Sequence, residues 1–107
     1  MAGAQQPMPA HSSLAHLFCE MYTSAQAAGL TNGNSCALPL TQEFVADALG
    51  LTAVHTNRTL QALRETEAVE WRSGWLTVKD WPKLQAIARF DPHYLHLRST
   101  ARARRKH

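Results

Sequence analysis

Apolar positions recur along this chain in helical and strand periods, separated by capping residues and turns. Ser12 or Ser13 is placed to cap a first helix. Leu14, Leu17, Phe18, Met21, Tyr22 and Ala25 then follow at helical spacing, and Gly29 supplies a stop. Cys19 lies off that stripe and reads as a structural or partly exposed thiol. Leu30 to Ser35, LTNGNS, reads as a loop around an Asn-Gly turn. Cys36 to Leu40 reads as a short extended piece that Pro39 limits to a sheet edge.

The stretch Thr41 to Glu65, TQEFVADALGLTAVHTNRTLQALRE, holds two helical patterns around a tight turn. Thr41 caps the first, with Phe44, Val45, Ala48 and Leu49 in phase, and Gly50 stops it. Thr52 caps the second, in which Val54, Leu60 and Leu63 are roughly in phase and are expected to supply the apolar contacts. Ala46, four residues before Gly50, gives the small side chain that a helix-turn-helix needs where its two helices meet.

Val69, Trp71, Trp75, Leu76 and Val78 are strand formers around Ser73-Gly74, which predicts a β-hairpin after the second helix. Asp80-Trp81-Pro82 opens another helix, with Asp80 or Trp81 at the cap, proline in the first turn, and Leu84, Ile87 and Ala88 inward. Asp91-Pro92 repeats the start signal before HYLHL. The expected fold is mainly α with a small β-hairpin: a winged helix-turn-helix with a three-helix core, a wing and C-terminal helices. Its expected limits are residues 12–97, between a disordered leader (1–11) and a basic, disordered tail (98–107).

The chain has 107 residues, one domain's worth, and 45% hydrophobic residues favour a globular fold over disorder. No apolar run approaches the ~20 residues of a membrane span, and the N-terminus carries no secretory signal pattern. With only two cysteines, Cys19 and Cys36, a reduced cytoplasmic compartment fits best. Net charge is +3, but five basic residues and no acid lie in 98–107, so the rest of the chain is net negative. Overall basicity is therefore no evidence that the folded part binds nucleic acid. The tail is either a source of salt-sensitive, non-specific attraction to phosphates or a solubilising end.

The candidate chemistry is nucleic-acid recognition by the second helix of the pair. Arg58 can form bidentate bonds to guanine O6 and N7; its alternative is an ion pair with Glu65 or Glu67. Asn57 can read adenine, and His55 and Asn57 can each meet phosphate or remain solvated. Gln61 shares that helix. Thr41, Gln42 and Thr52 stand at helix N-termini, where open N–H groups favour phosphate. Arg72 and Ser73 stand at the hairpin turn. His93 and His96, and His11 and His16 ahead of Cys19, make no recognised zinc spacing, so no metal is expected. A nucleophile beside a base, paired carboxylates and a phosphate-cradling glycine loop are all absent, so neither an enzyme nor a cofactor is expected.

Three stretches, LPLTQEFVADALGLTAVHTNRTLQALRE, WLTVKDW and FDPHYLHL, resemble the C-terminal DNA-binding domain of Crp/Fnr-type bacterial transcription regulators, in the family's order and over roughly Leu14 to Leu97. The resemblance implies a winged helix-turn-helix whose second helix enters the major groove of double-stranded DNA, with Arg58 at the position that contacts guanine. It also makes the His93–His96 stretch part of a terminal structural helix. Val54 departs from the family: the best-known members carry a glutamate there, and valine can only touch a thymine methyl, so the target sequence does not carry over. The family's effector domain and dimerisation helix do not fit in the 13 residues before Leu14. This chain is thus expected to lack a small-molecule effector site and to dimerise only weakly or on DNA. The runner-up reading is a winged-helix module that binds RNA polymerase or another regulator without specific DNA readout.

Overall fold

The computed structural model describes residues 8–90. Four helices alternate with four short strands: α1 (Ala10–Ala27), β1 (Thr31–Asn32), β2 (Ser35–Ala37), α2 (Gln42–Leu49), α3 (Ala53–Glu65), β3 (Val69–Arg72), β4 (Trp75–Val78) and α4 (Trp81–Ala88). This is a winged helix-turn-helix.

α1 begins two residues before the expected serine cap. Pro9 occupies the cap position, and its carbonyl accepts the first helical bond from Ser13 N at 3.0 Å. Ser12 already lies inside the helix and is buried on its core side. The buried face is also rotated from the expected stripe: Leu14, Ala15, Phe18, Cys19 and Tyr22 line the core, while Met21 faces out. Cys19 is fully buried within that face.

α2 starts and stops where its sequence signals stand. Thr41 Oγ1 accepts from Phe44 N at 3.0 Å. Gly50 takes φ 69, and Leu51 N reaches back to Ala46 O at 2.8 Å, closing the helix by a 6→1 bond. Its inward residues are Val45 and Ala46; Phe44 and Ala48, expected on the apolar face, are exposed. An eight-residue helix gripped on one side by α3 buries only a narrow stripe, and the small Ala46 marks it.

α3 is capped by Thr52, whose Oγ1 accepts from His55 N at 3.1 Å. Its buried face is Thr56, Thr59, Leu60 and Leu63. Val54 was expected among the apolar contacts and is instead 63% exposed. Thr56 and Thr59 replace it, because each satisfies its hydroxyl within the helix: Thr56 Oγ1 donates to Thr52 O at 2.8 Å, and Thr59 Oγ1 to His55 O at 2.7 Å. What remains facing the core is a methyl group.

The sheet is larger than a single hairpin. It is antiparallel, four-stranded, in the order β1-β2-β4-β3. The Asn-Gly turn joins β1 to β2 rather than lying in a loop. β2 is an inner strand, paired to β4 through Ser35↔Thr77, Cys36↔Leu76 and Ala37↔Trp75. Pro39 does not confine it to an edge, because the proline falls two residues beyond the strand. The β3–β4 turn places Ser73 at φ 54 and Gly74 at φ 79, the two left-handed residues of a tight hairpin turn.

α4 is capped by Asp80, whose carboxylate accepts from Lys83 N at 3.1 Å, with Pro82 in the first turn. It packs on α1: His16 Nδ1 lies 3.4 Å from Ala88 O, and the His16 ring meets Phe90 edge-on. One core joins α1, α3, α4 and the inner sheet face through Phe18, Leu63, Leu76 and Leu84. The expected HYLHL helix and the basic tail lie outside the described residues.

Candidate nucleic-acid interface

The face of α3 opposite its buried threonines and leucines is polar and open. Val54, His55, Asn57, Arg58 and Gln61 are all exposed. Asn57 and Gln61 sit one turn apart, and Gln61 Nε2 donates to Asn57 Oδ1 at 3.1 Å. Arg58 forms no ion pair among the described residues. Glu67, one of its expected partners, pairs with Lys79 at 3.5 Å instead. α3 thus presents a cation, two amides, an imidazole and one apolar side chain on a single surface.

The caps prepare the helix ends. Thr41 and Thr52 use an oxygen lone pair on their own helices, which leaves each hydroxyl hydrogen available to an outside acceptor. Gln42 stands in the first turn of α2, near N–H groups that have no partner within the helix.

The wing is fixed to the segment ahead of α2. Trp71 Nε1 donates to Leu38 O at 3.0 Å, and Leu38 N donates to Gly74 O at 2.7 Å. These two bonds set Gln42 beside the wing turn: Leu40, Gln42, Trp71, Arg72, Ser73 and Gly74 line one open depression of about 180 Å³. Three expected contact residues therefore converge there from two elements, Gln42 from α2 and Arg72 and Ser73 from the wing. The hydrogen bonds of the described residues do not join this group to the α3 face.

The ion pairs modify the expected electrostatics. Arg72 Nε lies 3.0 Å from Glu70 Oε2, and Glu70 Oε1 lies 3.4 Å from Lys79 Nζ. The wing cation is thus partly neutralised by its own strand. Period-two spacing puts residues 70 and 72 on the same strand face, so this pairing was readable in the sequence and was missed. Phe44, 56% exposed on α2, was also missed as a surface residue, because periodicity assigned it to the core.

Among the described residues, no three His, Cys, Asp or Glu side chains are grouped so as to hold a metal ion. No helix among them is long and apolar enough to cross a membrane.

Known proteins match this geometry. The family model of the Crp-like helix-turn-helix domain matches residues 12–87. Reduced CprK crystallised without ligand shares the fold with a TM-score of 0.65 at 17% identity, over 80% of this chain and 41% of that one. Oxidised CprK in complex with o-chlorophenolacetic acid gives 0.57 at 16% identity, over 76% of this chain and 35% of that one. This chain therefore spans less than half the length of either. No curated protein matches in sequence. The matched range holds most of α1, the helix-turn-helix, the wing and most of α4, and the chain belongs to the family of Crp-like helix-turn-helix domains, a DNA-binding domain of transcription regulators.

Proposed function

We propose that α3 enters the major groove of double-stranded DNA and reads sequence there, while the wing and the helix N-termini hold phosphates. The observation that carries this reading is the division of α3: Thr56, Thr59, Leu60 and Leu63 bury one face, and Val54, Asn57, Arg58 and Gln61 leave the other open. A major groove about 12 Å wide admits a helix presenting such a face. Arg58 is the guanine reader, since a guanidinium offers two parallel donors to O6 and N7. Val54 meets a thymine methyl, which its exposure allows. Thr41, Gln42, Thr52 and His55 meet backbone phosphates from helix N-terminal positions, and Arg72 and Ser73 do so from the wing. Such contacts position the domain without reading bases.

The test is selection of bound sequences from random duplex DNA by the 107-residue chain, repeated with Arg58→Ala. A site with a preferred guanine that Arg58→Ala no longer selects supports the reading. A wild-type chain that enriches no sequence sinks it.

A second reading is a protein-interaction module for RNA polymerase or another regulator. Phe44 favours it, as an exposed aromatic on α2 with no evident use in phosphate contact. Salt separates the two: binding to DNA falls steeply with salt, and an apolar protein contact does not.

A further inference from the structure

We infer that Asn57 and Gln61 read DNA as one hydrogen-bonded unit, in which Gln61 fixes which end of the Asn57 amide faces the base edges. The inference rests on the groove-reading function proposed above and adds a polarity to it. Gln61 Nε2 donates to Asn57 Oδ1 at 3.1 Å on the open face of α3. That bond engages the oxygen of one amide and the nitrogen of the other. The Asn57 Nδ2 donors and the Gln61 Oε1 acceptor have no other side-chain partner among the described residues, and both residues are exposed.

An amide on its own is ambivalent, because rotation by half a turn exchanges donor for acceptor. Asparagine left to itself suits adenine, taking N6–H and giving to N7. With its oxygen turned to Gln61, Asn57 presents donors only, which match guanine O6 and N7 or thymine O4, whereas the N6–H of adenine is left without the Asn57 acceptor. Gln61 presents an acceptor, which matches the amino group of adenine or cytosine. Residues four apart on a helix lie about 6 Å apart along its axis, so the two poles address neighbouring base pairs. In water such an exposed bond holds weakly. In a groove emptied of water it strengthens, and the unwanted rotamer would leave a polar group unpaired.

The experiment begins with the site that the full chain selects from random duplexes. Asn57→Ala identifies the base pair that Asn57 reads, as the position where preference is lost. Anisotropy titrations then compare all four base pairs there for wild type, Gln61→Met and Gln61→Glu, with circular dichroism to verify the fold. Wild type should prefer a keto base on the contacted strand. Gln61→Met removes the fixing amide and should lower that preference by about fivefold or more. Gln61→Glu accepts from Asn57 Nδ2, turns Oδ1 outward, and should move the preference to an amino base, while its added charge weakens all duplexes alike. A side chain that only shapes the helix would not reverse a base preference.

If both Gln61 variants keep the wild-type preference at that pair, or Asn57→Ala changes no position, the coupled unit is overturned, while a guanine still selected through Arg58 leaves groove reading standing. If wild type selects no sequence at all, groove reading fails and the coupling falls with it.

Discussion

Arg72 Nε lies 3.0 Å from Glu70 Oε2, so the wing cation already has a counter-ion in the free domain. An exposed pair of this kind contributes less than about 1 kcal/mol, which a phosphate can outcompete. Glu70 nonetheless places a negative charge at the surface proposed to meet DNA. Glu70→Gln should therefore raise affinity for every duplex by a similar factor and steepen the salt dependence. Arg72→Ala should do the reverse, removing up to about 0.9 from the slope of log K against log salt. Titrations at several salt concentrations, on target and scrambled duplexes, check both. A gain confined to the target would show that Arg72 reads a base.

Arg58→Ala should leave the fold intact, since Arg58 is exposed and unpaired among the described residues. It should cost about 1–3 kcal/mol of discrimination at one guanine, the usual worth of a bidentate contact. Equal weakening on the selected site and on a site lacking that guanine would reduce Arg58 to a phosphate contact.

Removing residues 98–107 takes away Arg98, Arg102, Arg104, Arg105 and Lys106, five of the chain's eleven Lys and Arg. Affinity should fall by the same factor for all sequences, with a shallower salt slope, because positive charge attracts the phosphates of any duplex alike. The ratio of affinities for target and scrambled duplex is the decisive number, and it should not change.

The two faces of α3 should respond unequally to truncation. Leu63→Ala, in the core, should destabilise the domain by about 2–5 kcal/mol. Val54→Ala, on the open face, should stay within about 0.5 kcal/mol. Thr52→Ala removes the cap bond to His55 N and should cost about 1 kcal/mol. Denaturant unfolding of the three variants gives all three values. A large loss from Val54→Ala would mean that this side chain is packed after all.

Burial, with the Glu20 carboxylate adding to it, pushes the Cys19 thiol up to about 12 from an ordinary 9.0, and burial also raises Cys36. Both thiols should therefore resist a disulfide reagent at pH 8 in the native domain and react once it is unfolded. The sign of the pH effect follows. Above about pH 9 the unfolded chain loses thiol protons that the folded chain keeps, so stability falls as pH rises from 9 towards 12 and is unaffected below that window. Cys19→Ala should flatten this decline in unfolding measured between pH 8 and pH 10.5.

Much of the architecture was legible because its signals are local. Thr41, Gly50, Thr52, Asp80 and the Ser73-Gly74 turn each set a boundary through bonds to residues within five positions, and all stand where the sequence places them. The polar candidates on α3 were legible for a related reason, since helical spacing alone puts Asn57, Arg58 and Gln61 on one surface. Tertiary structure decided which way each helix faces and what pairs across the chain. Periodicity could not choose Cys19 over Met21, or Thr56 and Thr59 over Val54, because those choices depend on how closely a neighbouring element approaches and on whether a hydroxyl can be satisfied within its own helix. Nor could it join Ser35–Ala37 to Trp75–Val78, a pairing about forty residues apart that makes the wing an edge of a four-stranded sheet. That pairing, with the Trp71 to Leu38 bond, sets the wing beside the start of α2, and contacts so distant in sequence exist only once the core has closed.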